Sequence, residues 1–204
     1  MIRLATFGLP LVLAGCGIGG FLAPTPEDLS TWQPVPLPPN PELATAALAA
    51  SACMNLGWEE GAEQAGGPIE ILLQDRRTAS TAAFFIAGPD TIGSCMFSSS
   101  GGSAGGSSQP ASQLQALNAA IAVDEDGGGG LAGAEATLLG GRAAPVVIAV
   151  RIGVSDGRVV QASLGNGHWL AWWPGSVRAD SVTATLADGQ TEVLMRDADG
   201  WVIR

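Results

Sequence analysis

The chain has 204 residues, 47% of them hydrophobic, 14% charged and only 5% aromatic, with a formal charge of −10. All nine basic residues are arginine, which excludes a Walker A lysine, a lysine Schiff base and a Ser-Lys dyad, because each needs an ammonium on a flexible stem. The lone histidine, His168, excludes every metal site built on two histidines, and the acidic balance disfavours phosphate backbones, so neither a metal, a cofactor nor a nucleic-acid partner is expected.

At the N-terminus, Arg3 precedes an apolar run from Leu4 to Leu13. A bilayer-spanning helix needs roughly 20 apolar residues, so this run has the length of a signal-peptide core and not of a membrane span. It ends in Leu13, Ala14, Gly15 and Cys16. That quartet resembles a bacterial lipobox, which implies a lipoprotein signal peptide over residues 1–15 and a lipid-bearing N-terminal Cys16. Two or three acyl chains, at about 0.8 kcal/mol per buried methylene, suffice as an anchor. The resemblance therefore places the protein outside the cytoplasm, lipid-anchored to the outer face of the cell membrane. The absence of lysine beside abundant Ala and Gly suggests a GC-rich genome and an actinobacterial source.

Residues 16–40 read as a Pro-rich tether, with Pro24, Pro26, Pro34, Pro36, Pro38 and Pro39. Polyproline II geometry, at about 3.1 Å per residue, would make residues 17–40 a stiff stalk roughly 70 Å long. Trp32 within it is either a docking residue or an apolar side chain packed back on the domain.

Residues 41–123 read as a helix plus a small sheet. Asn40 can cap, Pro41 suits the first helical position and Glu42 suits the positive end of the dipole, so a helix is expected to run to about Asn55 and stop at Gly57. It would present Leu43, Ala46, Ala50 and Cys53 on one face. Strands are expected at Ile69 to Gln74, Ala79 to Ala87 and Ile92 to Phe97, with Arg76 and Arg77 at a solvated corner where one of them could pair with Asp75 or Glu70. Once Cys16 is acylated, Cys53 and Cys95 remain, and an oxidising compartment favours a disulfide between them. Closing a loop of about 43 residues is worth on the order of 4 kcal/mol in the chain-entropy model. Residues 98–110 read as a low-complexity loop, a short helix carries Leu114, Leu117 and Ile121, and Asp124 to Gly130 reads as a turn.

Residues 131–204 read as an antiparallel β region, so that 41–204 form one compact α+β domain with a sandwich-like second half. Strands are expected at Ala134 to Leu139, Val146 to Val154, Arg158 to Leu164, His168 to Trp173, Ser181 to Leu186, Thr191 to Arg196 and Trp201 to Ile203. Asp156-Gly157 and Asp188-Gly189 suit type I′ hairpin turns, with Asn166-Gly167 and Asp199-Gly200 at the next corners. The 32-residue spacing of these turns marks two similar hairpins.

Three patterns carry candidate chemistry. Gly101, Ser103 and Gly105 make a GxSxG, followed by Asp124, Asp126 and Asp156 and then His168, in the chain order of α/β-hydrolases. The Ser/Gly tract around Ser103 lacks the strand-to-helix turn that projects such a nucleophile, so a low-complexity match is the simpler reading. Asp124, Glu125 and Asp126 suggest calcium, but Gly128 falls where an EF-hand loop needs an oxygen ligand. The run His168, Trp169, Leu170, Ala171, Trp172, Trp173 puts indoles on both faces of one strand. At least one is expected at the surface unless a further layer covers it, so His168, Trp169, Trp172 and Trp173 form the candidate binding surface for a cell-wall glycan or an envelope protein.

The stretch Val146 to Gly175, with Asp156-Gly157, Asn166-Gly167, Trp169 and Ala171-Trp172-Trp173-Pro174-Gly175, resembles a C-terminal pattern of uncharacterised secreted or lipid-anchored actinobacterial proteins. The resemblance implies an extracytoplasmic address and β structure, and no catalytic residue. The resulting expectation is a non-enzymatic envelope lipoprotein with a binding or accessory role. Alternatives are an envelope hydrolase using His168 and a purely structural lipoprotein.

Overall fold

A computed structural model describes residues 27–49, 69–100, 103–114, 116–131, 134–198 and 200–204, with no side-chain description at 27, 28 or 103–108. The expected signal peptide, Cys16 and Cys53 lie outside the described residues. The fold is mostly antiparallel β, with two short α-helices among the described residues. In chain order the elements are α1 (Glu27–Ser30), α2 (Pro41–Ala49), β1 (Glu70–Arg76), β2 (Thr81–Ala87), β3 (Thr91–Ser98), β4 (Ser103–Pro110), a 3-10 turn (Ala111–Gln113), β5 (Ile121–Leu131) and β6 (Ala134–Ala143). There follow β7 (Val147–Val154), β8 (Val159–Gln161), β9 (Ser163–Gly165), β10 (His168–Pro174), β11 (Ala179–Leu186), β12 (Thr191–Arg196) and β13 (Trp201–Ile203).

The strands form a front sheet in the order β1-β2-β3-β4, a middle sheet β5-β6-β10-β9 and a back sheet β13-β12-β11-β7-β8. Every pairing is antiparallel. Three apolar clusters stack the layers. Leu139, Trp169, Ala171 and Trp173 of the middle sheet meet Val150, Ile152 and Val182 of the back sheet. On the other side, Leu138, Leu170 and Trp172 meet Phe85, Ile92 and Met96 of the front sheet. Leu43 and Ala47 of α2 then cover Phe84, Ile86 and Cys95 on the front sheet's outer side.

Helix α2 starts as its sequence dictates. The Asn40 carboxamide oxygen accepts from the Glu42 and Leu43 amides at 2.9 and 3.3 Å, satisfying two of the orphan donors of the first turn. The face it buries is Leu43 and Ala47, an i, i+4 pair; of the expected Leu43, Ala46, Ala50 and Cys53, Leu43 is buried, Ala46 is half-buried and the other two lie outside the described residues. Cys95 is wholly buried beneath this helix, and its thiol is not free.

Three low-complexity expectations are corrected. The tract read as a loop contains β4, whose backbone pairs with β3 from Phe97↔Ser103 to Thr91↔Pro110. The tract read as a turn, Asp124 to Gly130, lies within β5, paired with β6 along its length. The helix expected to carry Leu114, Leu117 and Ile121 is not found among the described residues: a 3-10 turn over Ala111–Gln113 ends at an extended Leu114, and Ile121 opens β5. Backbone ladders form without help from side chains, so strands made of Ser and Gly are held by partners that already have a pattern. At Gly141 a Cβ would lie 1.9 Å from the Ala122 carbonyl oxygen, so only glycine allows the close approach beside the bulge between Val123 and Glu125.

Turn chemistry follows composition with one change. Asn166 and Gly167 both have positive φ, 51° and 75°, as a type I′ turn requires. Asp156 and Asp188 are not among the positive-φ residues, whereas Gly157 and Gly189 are, at 90° and 85°. Val154 O accepts from Gly157 N and Leu186 O from Gly189 N, at 2.8 and 2.9 Å. These two corners are therefore type I turns closed by a glycine bulge. The aspartates serve them differently, each accepting from the amide two residues on, Arg158 and Gln190.

Candidate functional site

Strand β10 is sandwiched on both faces, and this removes the expected binding surface. Trp169, Trp172 and Trp173 are wholly buried. Each indole N–H is satisfied internally: Trp169 donates to the Ala122 carbonyl at 3.1 Å, Trp172 to that of Asp75 at 3.0 Å and Trp173 to that of Val177 at 2.8 Å. The physical reason is the middle layer. A strand with sheets on both sides must be apolar throughout, as this run is.

His168 is half-buried at the end of the same strand. Its ring stacks on Phe85, with centroids 4.6 Å apart and planes 27° from parallel. The buried Nδ1 has no hydrogen-bond partner. Burial pushes the imidazole pKa below its ordinary value, and Arg142 pushes the same way; Asp124 and the Gly141 backbone oppose them. Its role here is packing against Phe85. Ser103 lies in the β3–β4 ladder, so the GxSxG forms no strand-to-helix elbow.

A second polar centre was expected to be a solvated corner and is instead completely enclosed. Asp75 and Arg77 form an ion pair at 2.7 Å with both side chains fully buried. Burial pushes the Asp75 carboxyl pKa up, while the Arg77 guanidinium, the Ser163 hydroxyl and a backbone bond involving Trp172 oppose that shift. Arg77 uses its remaining donors on carbonyls: Nη1 to Pro34 at 2.7 Å and Gln33 at 3.2 Å, and Nη2 to Gln161.

These contacts also overturn the stalk reading for residues 27–40. The Leu37 amide donates to Arg76 O at 2.7 Å and the Gln161 amide to Pro34 O at 2.9 Å, so the Pro-rich segment is a strap bound across the domain. Trp32 donates its indole N–H to Trp172 O at 3.0 Å and is flanked by Arg77 and Arg158, 5.8 and 5.6 Å from the ring centroid. Prolines lack the donors for a ladder of their own, yet their carbonyls are free to accept, and the arginines supply the donors.

An open groove of about 460 Å³ lies between the 111–120 connection, the start of β5 and the β12–β13 edge of the back sheet. Gln109, Gln113, Asn118, Asp124, Arg142 and Trp201 are among its lining residues. Arg142 donates twice to Asp124, at 2.8 Å from both Nε and Nη2. That hydrogen bond, more than the Coulomb attraction, raises the Arg142 pKa still further above its working range. Beside the groove, Trp201 donates its indole N–H to Asp126 at 3.2 Å, Arg196 pairs with Asp126 at 2.6 Å, and the Arg196 guanidinium lies 5.6 Å from the Trp201 ring centroid. Of the acidic run read against calcium, Asp124 and Asp126 are thus engaged with arginines and Glu125 accepts from the Ser94 hydroxyl, and among the described residues no group of three or more His, Cys, Asp or Glu could hold a metal ion.

Sequence reasoning placed Trp201 on a strand but not at a site. The signal it lacked was the position of β13 at the free edge of the back sheet, where one indole stays partly open. In comparisons with known proteins, no family model, no curated protein and no solved structure matches the chain.

Proposed function

We propose that this chain is a lipid-anchored, extracytoplasmic protein with a binding or accessory role in the cell envelope, its β domain held close to the membrane. The anchor reading rests on the Leu13-Ala14-Gly15-Cys16 motif behind a short apolar run. The single observation that carries the geometry is the strap. Because residues from Leu29 onward pack on or bond to the domain, the twelve residues between Cys16 and Leu29 limit the distance from Cys16 to the domain to at most about 45 Å, whatever their conformation. An acylated Cys16 would therefore keep the domain beside the lipid surface. The middle and back sheets are read as a β-sandwich to which the front sheet and α2 are added. Cys95 is paired with Cys53 in this reading, tying the segment after α2 to the front sheet.

The test is intact-mass and peptide analysis of the native protein from membranes. The expected result is a mature N-terminus at Cys16 carrying acyl groups, with Cys16→Ser moving the protein to the soluble fraction. An unacylated Cys16 overturns the anchor. Peptide mapping without reductant is expected to recover Cys53 linked to Cys95.

A further inference from the structure

The charges at the groove beside Trp201 are paired with one another. Asp124 is matched by Arg142, and the neighbouring Asp126 by Arg196, so each ionisable group is neutralised within the protein. A site built for an ionic ligand leaves at least one charge for that ligand. What remains here is an aromatic ring and neutral amides. Gln113 and Asn118 are exposed and Gln109 half-buried, all three on the groove wall. Each carboxamide offers two donors and an acceptor, which suits hydroxyl groups. Trp201 is held in orientation by its bond to Asp126, and Leu114, Leu117 and Ile203 add apolar wall. A volume of about 460 Å³ falls within the range of small-ligand sites, about 300–1,000 Å³.

We infer that the groove lined by Trp201, Gln109, Gln113 and Asn118 binds a neutral, hydroxyl-rich oligosaccharide, one sugar setting its C–H groups against the part of the indole that lines the groove, which Arg196 and the core leave open, while the amides take its hydroxyls. The inference deepens the envelope-binding reading by naming the ligand class, and rests on that reading only for where the sugar is met. The preorganised indole loses little freedom on binding, which favours a shallow site with modest affinity.

The experiment uses the full lipidated chain in detergent micelles, with indole N–H resonances followed by NMR as neutral tetrasaccharides are added to about 10 mM: a β-linked glucan, a mannan and an N-acetylglucosamine oligomer. A tetrasaccharide of uronic acid is the charged comparison. The expected result is a saturable shift of the Trp201 indole with at least one neutral sugar. Trp201→Ala should weaken binding by about tenfold or more, with Trp201→Phe intermediate. Because Trp201 also packs on the core, the paired variant Gln113→Ala/Asn118→Ala, at two exposed positions, serves as the second probe and is expected to weaken binding about three- to tenfold. No shift with any neutral sugar, a preference for the uronic acid, or binding unchanged in the amide variant would overturn the inference. Sugar binding by a protein with an unacylated Cys16 would remove the anchor alone, and an acylated protein blind to sugars would remove the groove ligand alone.

Discussion

The two faces of the middle sheet are packed on different principles. Toward the back sheet, Leu139, Ala143, Trp169, Ala171 and Trp173 meet aliphatic side chains, and the Trp169 and Trp173 indole nitrogens in that contact have carbonyl partners. Toward the front sheet, Leu170 and Trp172 share the interface with Glu125, buried and accepting from the Ser94 hydroxyl at 3.2 Å, with His168 and with the nearby Asp75–Arg77 pair. One interface depends on shape alone, while the other depends also on protonation and on partners being complete. An apolar contact degrades in proportion to the volume removed, whereas a buried ionic one fails when either member is lost.

The largest effects should come from one cut on each face. Trp173→Ala is expected to cost about 3–5 kcal/mol through the cavity it leaves, read as a lower urea midpoint with the slope unchanged. Arg77→Met should cost a similar 3–5 kcal/mol by stranding the Asp75 carboxylate, and Asp75→Leu combined with Arg77→Met should recover a large part of that loss. Equal costs for the single and double variants would show that the front interface, too, depends only on shape. Next in size, Gly141→Ala should cost about 1–3 kcal/mol, since a methyl there meets backbone beside the β5 bulge; amide exchange in β5 and β6 should rise with it.

The smallest effect separates the faces by pH. His168 has a folded pKa below the ordinary 6.5, so the unfolded chain takes up the proton first. Its contribution is therefore fully present above about pH 6.5 and is lost as pH falls toward the folded value. The difference in unfolding free energy between wild type and His168→Phe should change in that window, with the wild type losing ground on acidification. A pH-independent difference would remove the role assigned to His168 burial. Trp173→Ala, on the other face, should shift stability equally at all these pH values.

Much of the back sheet is legible in the sequence. Alternating apolar residues between Asp-Gly corners give β12 and β13 to the residue, and β7 and β11 to within one or two. Strands β4 and β5 are not legible, because Gly and Ser offer no periodicity and their pairing is backbone chemistry supplied by neighbours. The continuous apolar run of β10 carries its own warning: a strand without a polar face is one with layers on both sides. The Asp75–Arg77 pair reads locally as a corner because its burial depends on carbonyls at positions 33, 34 and 161 and a hydroxyl at 163. The open groove escapes the sequence for the same reason, since its walls come from β4, β5, β6, β12 and β13 together.

The Arg77 clasp also sets an order of events. It joins carbonyls at residues 33 and 34 to one at 161, and Trp32 closes onto Trp172, 140 positions later in the chain. A polypeptide emerging with its amino end first cannot fasten the strap until nearly the whole of it has appeared. The earliest-made part of the domain must wait for the latest, and ties spanning such separations make assembly slow. An attachment made near the amino end while the chain is still emerging would thus be made on an open domain.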